Sequence, residues 1–301
     1  MLDPIVVIPG LVIAAVVTSW VAGLVRVPSI LLLLVVGVVV GPGLGLVDPE
    51  GMFGDLFVPG VSVAVGIVLF EGGLSLRFRE IAGSERILWL LVTVGVLVTW
   101  FFGALAAWAF TDLGLAAAIL LGSILVVSGP TVVGPVLQTV RPDRRVSSIL
   151  KWESIFIDPL GAMLAVITLN VVVAGQRSIG PGAIARDVVV FVAVGVVSGA
   201  LMAIGTTIAL RRHWIPTQLV GPVGIAAALA AFVLAESFFH EAGLLATTVV
   251  GLTLSNDDRV RTEEIVQVSE VLRVLLIGML FIVHTATGRA TSTSTANTAT
   301  T

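Results

Sequence analysis

From Ile87 to Phe110 the chain carries no charged side chain, a stretch that reaches the roughly 20 residues an α-helix needs to cross the hydrocarbon of a bilayer. Other apolar runs, such as Ile30–Val40 and Val61–Phe70, are likewise bounded by proline or charge. Charged residues make up only 12% of the chain and the mean hydropathy is +1.12. A soluble domain carries about 25% charged residues because its surface faces water, so most of this surface faces lipid. The runs are apolar on every side, which fits helices rather than the alternating, roughly ten-residue strands of a membrane barrel. The first run opens with Asp3 instead of basic residues and has no small-residue cleavage site after it, so it does not read as a cleaved signal. With no cysteine, disulfides, zinc–thiolate sites and thiol catalysis are excluded.

Hydrophobic runs between polar breaks predict an all-α integral membrane protein with ten spans, near 5–25, 28–47, 59–76, 87–110, 115–140, 152–174, 187–210, 217–239, 242–256 and 265–286. The ninth is short. Alternate loops then hold Arg26; Arg77, Arg79 and Arg86; Arg141, Arg144, Arg145 and Lys151; Arg211 and Arg212; Arg259 and Arg261. The opposite side holds Arg177, Arg186 and Arg289 and is otherwise acidic, with Asp48, Glu50, Asp55 and Asp112. The positive-inside rule therefore predicts a cytoplasmic location for the basic loops and an external N-terminus. Residues 1–286 read as one transmembrane domain. Beyond Ala286 the composition changes to a Thr/Ser-rich run, 287–301, which reads as a low-complexity tail.

Carboxylates inside spans are costly and mark functional sites. Asp158 lies well inside the sixth predicted span, in Ile155-Phe156-Ile157-Asp158-Pro159-Leu160-Gly161. At that depth a carboxylate is stable as the protonated acid or with a cation bound, so proton and metal cation compete for one oxygen pair. Pro159 supplies no N–H, which frees the carbonyl of Ile155. The fifth span carries the same device in Ser128-Gly129-Pro130-Thr131-Val132-Val133-Gly134-Pro135, which predicts a broken helix over 128–135 with the carbonyls of Val126 and Thr131 freed. Unwound backbone at membrane depth is tolerated where it lines a cavity or is buried in protein, and interrupted helices point to a transporter's ion site. Glu153, five residues before Asp158, projects in another direction on a 3.6-residue helix. Glu71 sits near the inner end of the third span, where a gating role and a simple polar contact both fit. Glu236, His240 and Glu241 lie towards the outer mouth of the eighth span, but Leu244 stands where a zinc-protease helix would need histidine. No Walker-type glycine loop and no catalytic Ser/His/Asp order is present, so no enzyme, cofactor or nucleic-acid partner is expected.

In these residues the chain resembles the monovalent cation:proton antiporter family, in its bacterial and archaeal sodium/proton members. Four stretches carry the resemblance: Leu69-Phe70-Glu71-Gly72-Gly73-Leu74; Ser128 to Pro135 with Arg141-Pro142; Ile149-Leu150-Lys151-Trp152-Glu153 through Pro159-Leu160-Gly161-Ala162; and Leu275-Leu276-Ile277-Gly278 with Leu280-Phe281-Ile282. The resemblance implies an inverted-repeat fold, a homodimer in the plasma membrane, and exchange of sodium, potassium or lithium for a proton. It implies that Asp158 carries the cation and proton, with Ser128 and Thr131 helping to ligate the cation. Glu153, Pro130, Pro159 and Glu71 would support that site. Ile157 and Gly129 stand where many relatives carry Asn or Asp, which leaves one carboxylate and implies electroneutral one-for-one exchange. The family continues for two or three helices past the last span, so the second repeat is expected to be incomplete here. A non-transporting membrane fragment of such an antiporter is the alternative.

Overall fold

The computed structural model of the protein describes residues 4–25, 27–45, 54–174, 181–257, 260 and 262–286. The predicted tail at 287–301 and the acidic residues Asp48 and Glu50 lie outside them. Among the described residues every regular element is a helix. In chain order these are α1 (Pro4–Val25), α2 (Ser29–Val38, continued by a π turn Val39–Gly43), α3 (Phe57–Leu74), α4 (Phe78–Ile81) and α5 (Glu85–Leu90). A π segment, Leu91–Gly95, joins α5 to α6 (Val96–Phe110). Then come α7 (Leu115–Ile124), α8 (Pro130–Val140), α9 (Arg144–Ala174), α10 (Pro181–Arg211), α11 (Val220–Glu236), α12 (Ala242–Ser255) and α13 (Glu263–Ala286).

Among the described residues, seven helical stretches are long and apolar enough to cross a membrane: Val6–Val25, Gly54–Leu74, Glu85–Phe110, Arg144–Val172, Gly182–Arg211, Thr217–Glu236 and Glu263–Val283. Three more apolar helices, Ser29–Gly41, Leu115–Ile124 and Ala242–Ser255, are shorter. The main difference from the sequence expectation is in the fifth predicted span. Its break lies at residues 125–129, upstream of the expected 128–135, and α8 runs as a helix from Pro130. The reason is local. Pro130 takes the first helical position, where its missing N–H is not needed and its fixed φ suits a helix start. The residue before a proline is driven out of the α region, and Gly129 accordingly has ψ 147°. A second difference is that α9 begins eight residues before the predicted span. Arg144, Arg145 and Lys151 end the lipid-facing hydropathy without ending the helix, and Asp143 Oδ1 accepts the Val146 N–H at its start (2.8 Å).

The chain divides into two compact units, Met1–Val68 with Val268–Thr301, and Leu69–Gln267. In the first, α1 packs on α2 around Val7, Leu11, Ala15, Leu33, Ile282 and Val283. Gly278 brings its helix backbone against Ala15, where any Cβ would overlap.

In the second unit α12 is the central element, packed by α9, α10 and α11. It has only 14 residues, most of them fully buried, including Ala242, Ala246, Thr247, Thr248, Val250 and Leu254. A helix of about 21 Å is too short for the roughly 30 Å of hydrocarbon, but a helix enclosed by protein need not match lipid. Small residues make this possible, because helices in lipid associate through close packing rather than a hydrophobic drive. A Cβ on Gly73 of α3 would stand 2.5 Å from the Thr248 carbonyl oxygen, and one on Gly199 of α10 2.6 Å from that of Ala246. The carbonyls just past the end of α3 have no helical donor and need other partners. Lys151 Nζ donates to Ser75 O (2.6 Å), while Ser255 Oγ and Asn256 Nδ2 each donate to Leu76 O at 2.9 Å. Arg77 Nη1 returns a hydrogen bond to Ser255 O.

Candidate functional site

The break between α7 and α8 is built by composition. Leu125 N–H still bonds Leu121 O (3.0 Å), but the helix resumes only where Val132 and Val133 donate to Gly129 O. Pro130 has no N–H, so it supplies no helical donor to Val126 O. Residues 125–129 are therefore non-helical, and both flanking helices pack on α9.

Two contacts fix this segment on α9. Ser128 Oγ donates to Glu153 Oε1 at 2.9 Å. Eight residues further along α9, Gly161 faces Val127, whose Cγ2 occupies the space a Cβ would need. Asp158 lies in sequence between these two anchors, about 140° around the helix from Glu153 and about 60° from Gly161. It is half-buried, and no described side chain or backbone group makes a hydrogen bond or ion pair with its carboxylate. Pro159 follows it inside the helix and leaves the Ile155 carbonyl without its helical donor. The break, Asp158 and two under-donated carbonyls thus belong to one stretch of the second unit.

The structure brings Ser128 to Glu153 rather than to Asp158, a pairing that sequence reading missed. The two residues are 25 positions apart, and the only signal was that both are polar within apolar runs. Thr131 is the second residue of α8, and its side chain lies outside those described. Glu71 is half-buried in α3, one position from Gly72, whose Cβ position lies 3.3 Å from Ile155. Trp152, the residue before Glu153, is stacked on Phe156 with ring centroids 5.8 Å apart.

Glu236, His240 and Glu241 come together at the turn between α11 and α12. Glu236 Oε1 accepts the Glu241 N–H (3.1 Å) and lies 3.3 Å from His240 Nδ1, while Oε2 accepts the Gly243 N–H (3.3 Å). Asp187 of α10 lines the same cavity of about 610 Å³. Glu241 lies outside the spans, and burial raises its pKa, helped by the Glu236 charge and opposed by His240. A raised folded value means that the folded state holds the proton more tightly, so stability falls as pH rises from the ordinary glutamate range through that value. Glu241→Gln cannot ionise. It is expected to unfold at a higher temperature than the parent at about pH 8 and to match it at about pH 4. An advantage confined to the acid measurement rejects this reading of the turn.

The sodium/hydrogen exchanger transmembrane family matches residues 11–293, and the chain belongs to it, among the monovalent cation:proton antiporters. The K(+)/H(+) antiporter NhaP of Alkalimonas amylolytica is 31% identical over 176 residues, which span 56% of this chain and 29% of that protein. The Na(+)/H(+) antiporter 1 of Methanocaldococcus jannaschii is 25% identical over 150 residues, 48% of this chain and 34% of its own length. These alignments thus span about a third of the curated relatives. The solved sodium proton antiporter MjNhaP1 from Methanocaldococcus jannaschii at pH 8 shares the fold, with a TM-score of 0.82 at 22% identity over 95% of this chain and 71% of that one. A second structure of MjNhaP1 gives a TM-score of 0.77 at 23% identity.

Proposed function

We propose that this chain exchanges a monovalent cation for a proton across the plasma membrane, with Asp158 as the carrier of both. The observation that carries the reading is the unwound segment 125–129 held on α9 by Ser128–Glu153 and Val127–Gly161, on either side of Asp158 in sequence. Oxygen ligands suit a hard monovalent cation, and this stretch offers the Asp158 carboxylate, freed carbonyls and the hydroxyls of Ser128 and Thr131. Pro130 and Pro159 keep those carbonyls available, and Glu153 fixes Ser128. Glu71 supports the inner end of α3. The relatives' names divide between sodium and potassium as the exchanged ion.

The same reading takes the three shorter apolar helices as crossings, giving ten in all, arranged as inverted repeats with the N-terminus outside and the chain paired as a homodimer. Helices α7 and α8 fit this, since ten and eleven residues rise about 15 Å each, and two such half-helices together cross the hydrocarbon. The domain then covers 1–286, followed by the tail 287–301.

A single carboxylate crosses neutral either way, protonated or with one cation bound, so exchange is one-for-one and electroneutral. The test is a pH-gradient dequenching assay on everted vesicles and reconstituted liposomes, run with each cation in turn. Cation-driven proton movement is expected to be unchanged by an imposed potassium/valinomycin potential when sodium or lithium is the exchanged ion. A rate that follows the potential rejects one-for-one exchange, and no exchange with any cation rejects antiport.

A further inference from the structure

Two of the chain's basic loops meet around a cavity of about 910 Å³, which Lys151, the donor to Ser75 O, also lines. Its walls include Glu80 and Ser84 from the segment before α5, and Arg144, Arg145, Ser148 and Lys151 from the first turns of α9. Three cations thus face one carboxylate. Lys151 is partly engaged, through Ser75 O (2.6 Å) and a 3.9 Å approach to Glu80. Arg145 donates through its Nε to the buried Ser84 Oγ at 2.9 Å, and among the described residues its other nitrogens make no hydrogen bond. Among the described residues, Arg144 and the Ser148 hydroxyl make no hydrogen bond or ion pair. The cavity therefore offers donors and positive charge with little inside the protein to receive them.

This arrangement is wrong for a cation path, because three fixed positive groups repel the cargo. It suits an anion with several acceptor oxygens. Guanidinium groups present planar, forked donors that match a phosphate's oxygens, and such charge-assisted bonds are about twice as strong as neutral ones. The volume admits a phosphate together with the group that bears it. The basic loops also lie on the side that the positive-inside rule assigns to the cytoplasm, where the leaflet is rich in anionic headgroups and basic pockets beside helices recognise them.

We propose that this cavity is a phosphate-binding site, filled by the headgroup of an anionic lipid or by free phosphate. It is independent of the Asp158 reading and stands or falls without any transport measurement. The full chain, in uncharged detergent micelles at constant ionic strength, is heated with dioctanoyl phosphatidic acid, dioctanoyl phosphatidylcholine or inorganic phosphate. Phosphatidic acid is expected to raise the unfolding midpoint saturably, on the order of 5 °C at a hundredfold excess over Kd, and phosphatidylcholine is not. If inorganic phosphate gives the same shift at matched concentration, the site takes free phosphate; if it gives none, the site reads a lipid headgroup. Arg144→Gln is expected to weaken the effect about tenfold. Arg86→Gln removes the same charge from a nearby exposed position outside the cavity and should leave it unchanged. Should Arg144→Gln not fold, Ser148→Asp puts a carboxylate into the cavity and must abolish the shift. The proposal is overturned if neither phosphate species shifts the midpoint, if phosphatidylcholine matches phosphatidic acid, if Ser148→Asp keeps the shift, or if the two arginine variants weaken it equally.

Discussion

Asp158→Asn is expected to reduce cation-driven proton movement to the level of empty vesicles while leaving the chain folded. The substitution keeps the size and the hydrogen-bonding outline of the side chain. It removes the carboxylate proposed to hold either a proton or a cation, and nothing described in the second unit bonds to that carboxylate, so no protein partner is orphaned by the change. A neutral amide in a half-buried position also avoids the cost of desolvating a charge, so folding is not penalised. Glu153→Gln is the informative contrast. Its amide oxygen still accepts from Ser128 Oγ, which now meets a neutral group instead of a carboxylate. A hydrogen bond to a charged group is worth about 1.5–3 kcal/mol and a neutral one about 0.5–1.5, so a loss of about 1 kcal/mol is expected. Reconstituted exchange and thermal unfolding, measured on both variants, separate carrier from anchor. Substantial exchange by Asp158→Asn sinks the assignment of Asp158.

Much of this arrangement was legible in the sequence, and the reasons differ by residue. Runs such as Ile87–Phe110 set a span because lipid demands unbroken apolar surface over a fixed thickness. That logic sees only thickness, so it missed that the stretch is interrupted by a π segment at Leu91–Gly95 and that α9 begins at Arg144. Hydropathy stops at a charge, whereas a helix stops at a cap. Prolines 130 and 135 announced an interruption, but they did not say which side of Pro130 would unwind. The first proline of a helix is a start signal, so the extended segment fell on its N-terminal side, at 125–129. Pro135 lies within α8.

The site's internal wiring was less legible. Asp158 stood out by depth alone, and Ser128 by its place in a proline–glycine cluster. That Ser128 serves Glu153, and that Val127 seats on Gly161, are facts of how two helices cross, and no local pattern encodes them. The ninth predicted span is short, and α12 has 14 residues. Its burial shows why shortness is permitted: its neighbours, not lipid, meet its surface. The same close packing hides its most important positions, since a glycine in an apolar run looks the same whether it faces lipid or another backbone.

Gly251→Ala is expected to be the most damaging small substitution in the second unit. Its new Cβ would overlap the Phe70 carbonyl oxygen and stand 2.8 Å from the Leu74 amide nitrogen. Both are backbone atoms of α3, so no side chain can rotate away, and the two helices must separate. Alanine gains about 0.5–1 kcal/mol over glycine through helix propensity. Overpacking a tight contact typically costs about 1–3 kcal/mol, and a backbone-on-backbone clash lies at or beyond the top of that range, so destabilisation wins. Separation would also pull Ser255 and Asn256 off the Leu76 carbonyl, where each donates at 2.9 Å, and so unseat the end of α3 that carries Glu71. Gly205→Ala tests the opposite case. It lies in α10 with nothing within 4 Å of its Cβ position, so only the propensity gain remains. Unfolding midpoints in detergent should therefore fall by several degrees for Gly251→Ala and rise slightly, or stay level, for Gly205→Ala. Equal midpoints for the two variants would mean that α3 and α12 are not in backbone contact.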